Sequence, residues 1–158
     1  MGSGKSSVGK KLAKKLQLDF VDLDSLIEQQ EQQTITAIFE KRGEAYFREK
    51  ETAVLKTMEP TKRAVIALGG GTPCFGNNME YIQQTGTSFY LKVPIEKLIG
   101  RLRLKKDKRP LLAKLSKEEI ALFVTDKLKE REPYYAQADF IIEQEGKSVK
   151  QLLNALQE

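Results

Sequence analysis

The residues best suited to chemistry stand at the very start of the chain, where Gly2-Ser3-Gly4-Lys5-Ser6-Ser7 runs into Val8-Gly9-Lys10. Gly4-Lys5-Ser6 matches the end of the phosphate-binding pattern G-x-x-x-x-G-K-[ST]. In that pattern glycine lets backbone amides close around phosphate oxygens, the lysine adds a cation, and the hydroxyl is offered to Mg²⁺. A helix leaving such a loop points its N-terminal amides and positive dipole end at the same anion. A Gly-Ser start by itself resembles a flexible tail, but Gly-Lys-Ser opening an amphipathic helix does not. The complete pattern calls for an earlier glycine and a preceding strand, and both are expected upstream of Met1.

Asp22-x-Asp24 follows a short apolar run, Phe20-Val21. Ligands of open α/β sheets bind beyond the carboxyl ends of strands, and strand alternation would turn both carboxylates to one face. One could hold a Mg²⁺-bound water and the other accept a proton from a substrate hydroxyl; the alternative is a helix cap at Asp24 beside a solvated Asp22. Gly69-Gly70-Gly71 costs conformational entropy without adding packing, which suits close approach of a ligand to backbone or else a tight turn. Four arginines have a local context: Arg48 with Glu51 one turn on, Arg103 in Arg-Leu-Arg, Arg109 before Pro110, and Arg131 before Pro133. A guanidinium suits two-pronged grip of carboxylate or phosphate, although each of these also reads as a surface charge.

Composition narrows the chemistry. The chain has 158 residues, 40% of them hydrophobic and 31% charged, which fits one globular domain spanning 1–158. It contains no histidine, so proton transfer falls to Asp, Glu, Lys or Tyr and a metal must be held by oxygen, favouring Mg²⁺. The single cysteine, Cys74, excludes an internal disulfide. The sequence shows no signal-peptide pattern and no apolar run long enough to cross a bilayer, and the cytoplasm is the expected compartment. The net charge of +5 suggests anionic partners, but no nucleic-acid-binding pattern accompanies it.

The elements that must position these residues alternate. Helices are expected over 4–16, 25–33, 34–42, 44–59, 77–84, from Pro94 onward, 116–131 and 148–156; strands over 20–24, 64–68, 88–93 and 139–142. The 25–33 segment reads as a solvated, Gln-rich helix, the 64–68 strand as buried on both faces, and Pro133 as a helix terminator. Ser116 with Glu119 forms a capping box. Such alternation predicts an α/β parallel sheet covered by helices on both faces.

In order and spacing the motifs resemble shikimate kinase, of the nucleoside-monophosphate-kinase branch of phosphate-loop kinases. They are M-G-S-G-K-S-S at 1–7, Asp22 and Asp24, F-R-x-x-E at 47–51, G-G-G at 69–71, R-L-R at 101–103, R-P-L-L at 109–112 and R-x-P-x-Y from 131. The resemblance implies a three-layer αβα fold with a five-stranded parallel sheet, its first strand lying before Met1, itself an internal methionine of the loop. It implies transfer of the ATP γ-phosphoryl group to the 3-hydroxyl of shikimate by a monomer, with Mg²⁺. Carried over by position, Gly2, Ser3, Gly4, Lys5, Ser6 and Ser7 bind ATP, Ser6 binds Mg²⁺ directly, and Asp22 binds it through water. Asp24 binds the shikimate hydroxyls and acts as base, with Lys5 and Arg109 completing the catalytic set. Arg48 and Arg131 grip the carboxylate, Glu51 orients Arg48, and Gly69, Gly70 and Gly71 close on the ring. Arg109 also reaches ATP from a lid over 105–116, and Arg103 stacks near adenine. A related small-molecule kinase, such as a gluconate kinase, and a truncated nucleotide-binding module without activity are the alternatives.

Overall fold

The computed structural model describes residues 2–58, 62–104, 112, 115–143 and 148–157. Helix α1 (Lys5–Leu16) carries Val8, Leu12 and Leu16 at four-residue spacing, hence on one face. Strand β1 (Asp19–Asp22) pairs in parallel with β2 (Ala64–Ala67), Asp19 opposite Ala64 and Asp22 opposite Ala67. Strand β3 (Phe89–Lys92) pairs in parallel with β4 (Phe140–Glu143), Phe89 opposite Phe140. Parallel neighbours need long crossovers. Helices α2 (Leu23–Glu31) and α3 (Ile35–Lys56) supply the first, and α5 (Ile95–Arg103) and α6 (Lys117–Tyr135) supply the second. A 3₁₀ turn (Thr72–Cys74) and α4 (Asn78–Thr85) lead from β2 to β3, and α7 (Ser148–Ala155) follows β4.

Among the described residues the two strand pairs share no ladder. Helix α1 joins them instead. Its apolar face packs into a single cluster with Val65 of β2, Phe89 and Leu91 of β3, Phe140 and Ile142 of β4, and Leu152 of α7. The helix that leaves the phosphate loop is therefore also the element that holds the two halves together.

Three expectations change. The Gln-rich segment is not merely solvated: Leu23 and Ile27 are fully buried and form a core with Ile38, Phe47, Val54 and Leu55 of α3. The four-residue spacing of Leu23 and Ile27 puts both on the inner face, and the glutamines take the outer one. Strand β2 is not buried on both faces, since Val65 packs under α1 while Ile66, pointing the other way, stays exposed. Helix α6 does not stop at Pro133. It loses one backbone donor there yet runs on to Tyr135, placing Tyr135 one turn beyond Arg131 on the same face.

The strand expected over 20–24 ends at Asp22, where α2 begins, while two local signals appear as expected. The capping box of Ser116 and Glu119 is formed in both directions. Helix α3 breaks at Gly43, whose φ of 80° leaves the helical region.

Ile27, 0% exposed, tests the role of α2 in the core. Ile27→Ala is expected to lower unfolding free energy by about 2–5 kcal/mol in urea titration, through lost transfer energy and the cavity left behind. A change within error would mean that α2 is peripheral.

Candidate active site

Gly4 caps α1 with φ 84° and ψ 17°, a left-handed conformation that glycine adopts without strain. The amides of the first turn then face out of the helix end, where the dipole favours an anion. Two side chains from that turn reach the carboxyl end of β1. The Ser6 hydroxyl donates to Asp22 Oδ2 at 2.5 Å, and Lys5 Nζ lies 3.7 Å from Asp24 Oδ2. Both aspartates thus belong to the site, but not by strand alternation. The chain turns at Asp22, which is the N-cap of α2, so Asp24 sits on the first turn of a helix.

Asp24 is half-buried. Burial, and secondarily the neighbouring Asp22 carboxylate, push its carboxyl above the usual range against the opposing pull of Lys5. The Gly69–Gly71 turn comes directly onto it. A methyl group at Gly69 would lie 2.7 Å from Glu51 Oε1 and 2.9 Å from Asp24 Oδ1. At Gly71 it would lie 2.5 Å from Arg48 Nη1, so close approach, rather than turn geometry alone, requires glycine here.

Arg48 is held from several sides. Its Nη1 donates to Glu51 Oε2 at 2.8 Å, while Nη2 and Nε donate to Glu44 Oε1 at 3.1 and 3.2 Å. The Glu51 side chain is only 1% exposed and uses both oxygens, since Oε1 accepts from Thr72 Oγ1 at 2.6 Å. Asn78 completes the frame, donating from Nδ2 to the Thr72 carbonyl and to Thr52 Oγ1, each at 2.9 Å.

Arg131 approaches from α6. Tyr135, one turn further along the helix, donates its hydroxyl to the Gly70 carbonyl at 2.5 Å. Burial raises the Tyr135 phenol above its usual range, against the pull of Arg131. Burial likewise pushes the Cys74 thiol up, against the electrostatic pull of Arg131 and Arg48. Arg48 therefore lies against the triple-glycine turn, and α6, which carries Arg131, is tied to the same turn through Tyr135.

The structure separates Arg101 from Arg103. Arg101 donates to the Gly2 carbonyl of the phosphate loop at 3.0 Å, whereas Arg103 donates to the Lys117 carbonyl at the start of α6 at 2.8 Å. Arg109 and most of the 105–116 lid lie outside the described residues, although Leu112 is buried in the core shared by α5 and α6. A cavity of about 660 Å³ opens between β3 and α6, lined by Tyr90, Lys92, Leu128 and Glu132, but none of the loop residues, Asp24, Arg48 or Arg131 faces it.

Thr72, Asn78 and Tyr135 had no assigned role in the sequence reading. A threonine directly after Gly-Gly-Gly and an aromatic four residues after Arg131 were the available signals.

A phosphate loop at a helix N-terminus, facing aspartates at the end of a parallel strand, defines a phosphate-loop kinase of the α/β class. The comparisons with known proteins make this specific. The sequence model of the shikimate kinase family matches residues 1–158. A shikimate kinase from Flavobacterium psychrophilum is 43% identical over 150 residues, covering 94% of this chain and 87% of that protein. The crystal structure of shikimate kinase from Bacteroides thetaiotaomicron superposes with a TM-score of 0.93 at 38% identity, covering 100% of this chain and 94% of the other. A shikimate kinase from Acinetobacter baumannii in complex with shikimate gives a TM-score of 0.87 at 37% identity, covering 99% and 86%. The chain belongs to the shikimate kinase family, and the gluconate kinase alternative is set aside.

The buried hydroxyl of Thr72 provides a local test. Thr72→Val keeps the shape but leaves Glu51 Oε1 without its donor, and is expected to cost about 1–3 kcal/mol in denaturant unfolding. No loss would show that the Glu51 contact carries no net stability.

Proposed function

We propose that this enzyme transfers the γ-phosphoryl group of ATP to the 3-hydroxyl of shikimate, as a monomer in the cytoplasm. The observation that carries the reading is the convergence of two assemblies on one turn. The Lys5–Asp24 pair reaches Gly69 from the phosphate loop, while Arg48 lies against Gly71 and Tyr135, one turn beyond Arg131 on α6, is bonded to Gly70.

In this reading the α1 amides, Gly2 to Ser7 and Lys5 hold the phosphates of ATP. Arg48 and Arg131 hold the shikimate carboxylate by charge-assisted hydrogen bonds, and Glu51 fixes the angle of Arg48. The substrate hydroxyl attacks the γ-phosphorus, the bond to the β–γ bridging oxygen breaks, ADP leaves, and the hydroxyl proton passes to the Asp24 carboxylate. Lys5 and Arg109 offset charge on the transferring group, and Arg103 contributes to ATP binding. Phosphoryl transfer needs positioning and charge neutralisation more than covalent catalysis, so a chain without histidine is equipped for it.

The donor set fits Mg²⁺. Ser6 and Asp22 bring two oxygen donors together at the loop. No group of three or more His, Cys, Asp or Glu side chains is gathered as a metal site among the described residues. This suits an ion held through substrate phosphates, water and one or two protein oxygens. Ser6 would bind it directly and Asp22 through water; when bound, it neutralises phosphate charge. Among the described residues no helix is long and apolar enough to cross a membrane.

Shikimate-dependent ADP release by the full-length protein tests the assignment, and its absence would overturn it. Arg131→Ala is expected to raise the shikimate KM about 10–100-fold, the loss of a charged hydrogen-bond partner, with the ATP KM little changed. A reversed pattern would place Arg131 at the nucleotide.

Asp24 predicts the acid limb of the pH profile. Activity requires its deprotonated form and falls as pH drops through its folded-state pKa. Because burial raises that pKa, the midpoint in kcat/KM is expected above the ordinary carboxylate value of 3.8. A limb at or below that value, or one retained by a residually active Asp24→Asn, would assign the base elsewhere.

A further inference from the structure

Arg48 must present a guanidinium to a substrate carboxylate at a fixed angle, and the residues holding its edges do not do this alone. One edge is bound to buried Glu51. The other, formed by Nε and Nη2, is bound to Glu44, whose side chain is 54% exposed. An exposed ion pair of this kind is screened and adds little, so this edge is free to exchange Glu44 for an incoming carboxylate. During that exchange the plane of the guanidinium has to be held by its faces.

Two aromatic rings present their faces to the guanidinium. The Phe75 ring centroid lies 4.5 Å from Arg48 Cζ, and that of Phe47 lies 5.1 Å away. Phe47 is buried in the α3 core and packs on Phe39 at 4.9 Å, so its position is set by the helix. Phe75 comes from a different segment, immediately after the Thr72–Cys74 turn. That turn is registered by the Thr72 bond to Glu51 and by Asn78. Glu51 therefore sets both the edge of the guanidinium, directly, and the ring against its face, through Thr72.

We infer that Phe75 is a positioning residue for substrate binding, stacking on Arg48 so that its outer edge stays aligned for the carboxylate when Glu44 is displaced. The inference rests on the reading of Arg48 as a carboxylate ligand. A ring face attracts a cation, whereas an aliphatic side chain of similar bulk fills the same space without that attraction.

Steady-state kinetics with Phe75→Leu, Phe75→Met, Phe75→Tyr and Arg48→Lys test this, with thermal melts confirming that each variant is folded. Phe75→Leu and Phe75→Met are expected to raise the shikimate KM about 3- to 30-fold, the range of a partly desolvated cation–π contact. kcat and the ATP KM should stay unchanged, and Phe75→Tyr should remain close to wild type. If Phe75→Leu keeps the wild-type KM while Arg48→Lys raises it, Phe75 has no positioning role and the reading of Arg48 stands. If Phe75→Tyr is as impaired as Phe75→Leu, packing rather than the ring face is responsible and the inference fails. If neither Arg48→Lys nor Phe75→Leu changes the KM, the carboxylate reading of Arg48 fails and the inference falls with it.

Discussion

The buried carboxylate of Glu51 is the constraint on which the region around the triple-glycine turn depends. A carboxylate almost wholly removed from water is tolerable only when both oxygens are satisfied, and here one is taken by the Arg48 guanidinium and the other by the Thr72 hydroxyl. Those two partners belong to different segments, α3 and the turn after Gly69–Gly71. Satisfying one buried charge therefore fixes the angle of an arginine, the position of the triple-glycine turn and, through Asn78, the start of α4. Removing Arg48 would strand the Glu51 charge, whereas removing the Thr72 hydroxyl would leave one of its oxygens without a donor.

The end of the molecule at Gly4–Ser6 is organised by a different element. Helix α1 provides the amide end that suits phosphate, and the same helix packs both strand pairs into one cluster. The packing of the fold and the amide end suited to phosphate are thus provided by one segment. The two sides meet at Gly69, where the backbone passes close to Asp24 and Glu51 together, and a side chain of any size would push them apart.

Much of this could be read from the chain alone where the signal was local. Gly-Lys-Ser, the Arg48–Glu51 spacing and the capping box at Ser116 act over a few residues, and all three appear as expected. The Asp22–Asp24 pair was identified, but its geometry was not: strand alternation was assumed where the chain turns into α2. The core role of α2 was legible in the spacing of Leu23, Leu26 and Ile27 and was obscured by the surrounding glutamines. Thr72, Asn78 and Phe75 were not legible, because their roles arise from contacts between segments far apart in sequence. The continuation of α6 past Pro133 was equally hidden, since propensity alone argues for a stop there.

Product identification tests the central claim most directly. Full-length protein incubated with Mg-ATP and shikimate, followed by phosphorus NMR with proton correlation, is predicted to show a new phosphomonoester whose phosphorus couples to the proton on C3 of the ring. Inorganic phosphate alone, or a phosphoryl group on another hydroxyl, would contradict the account.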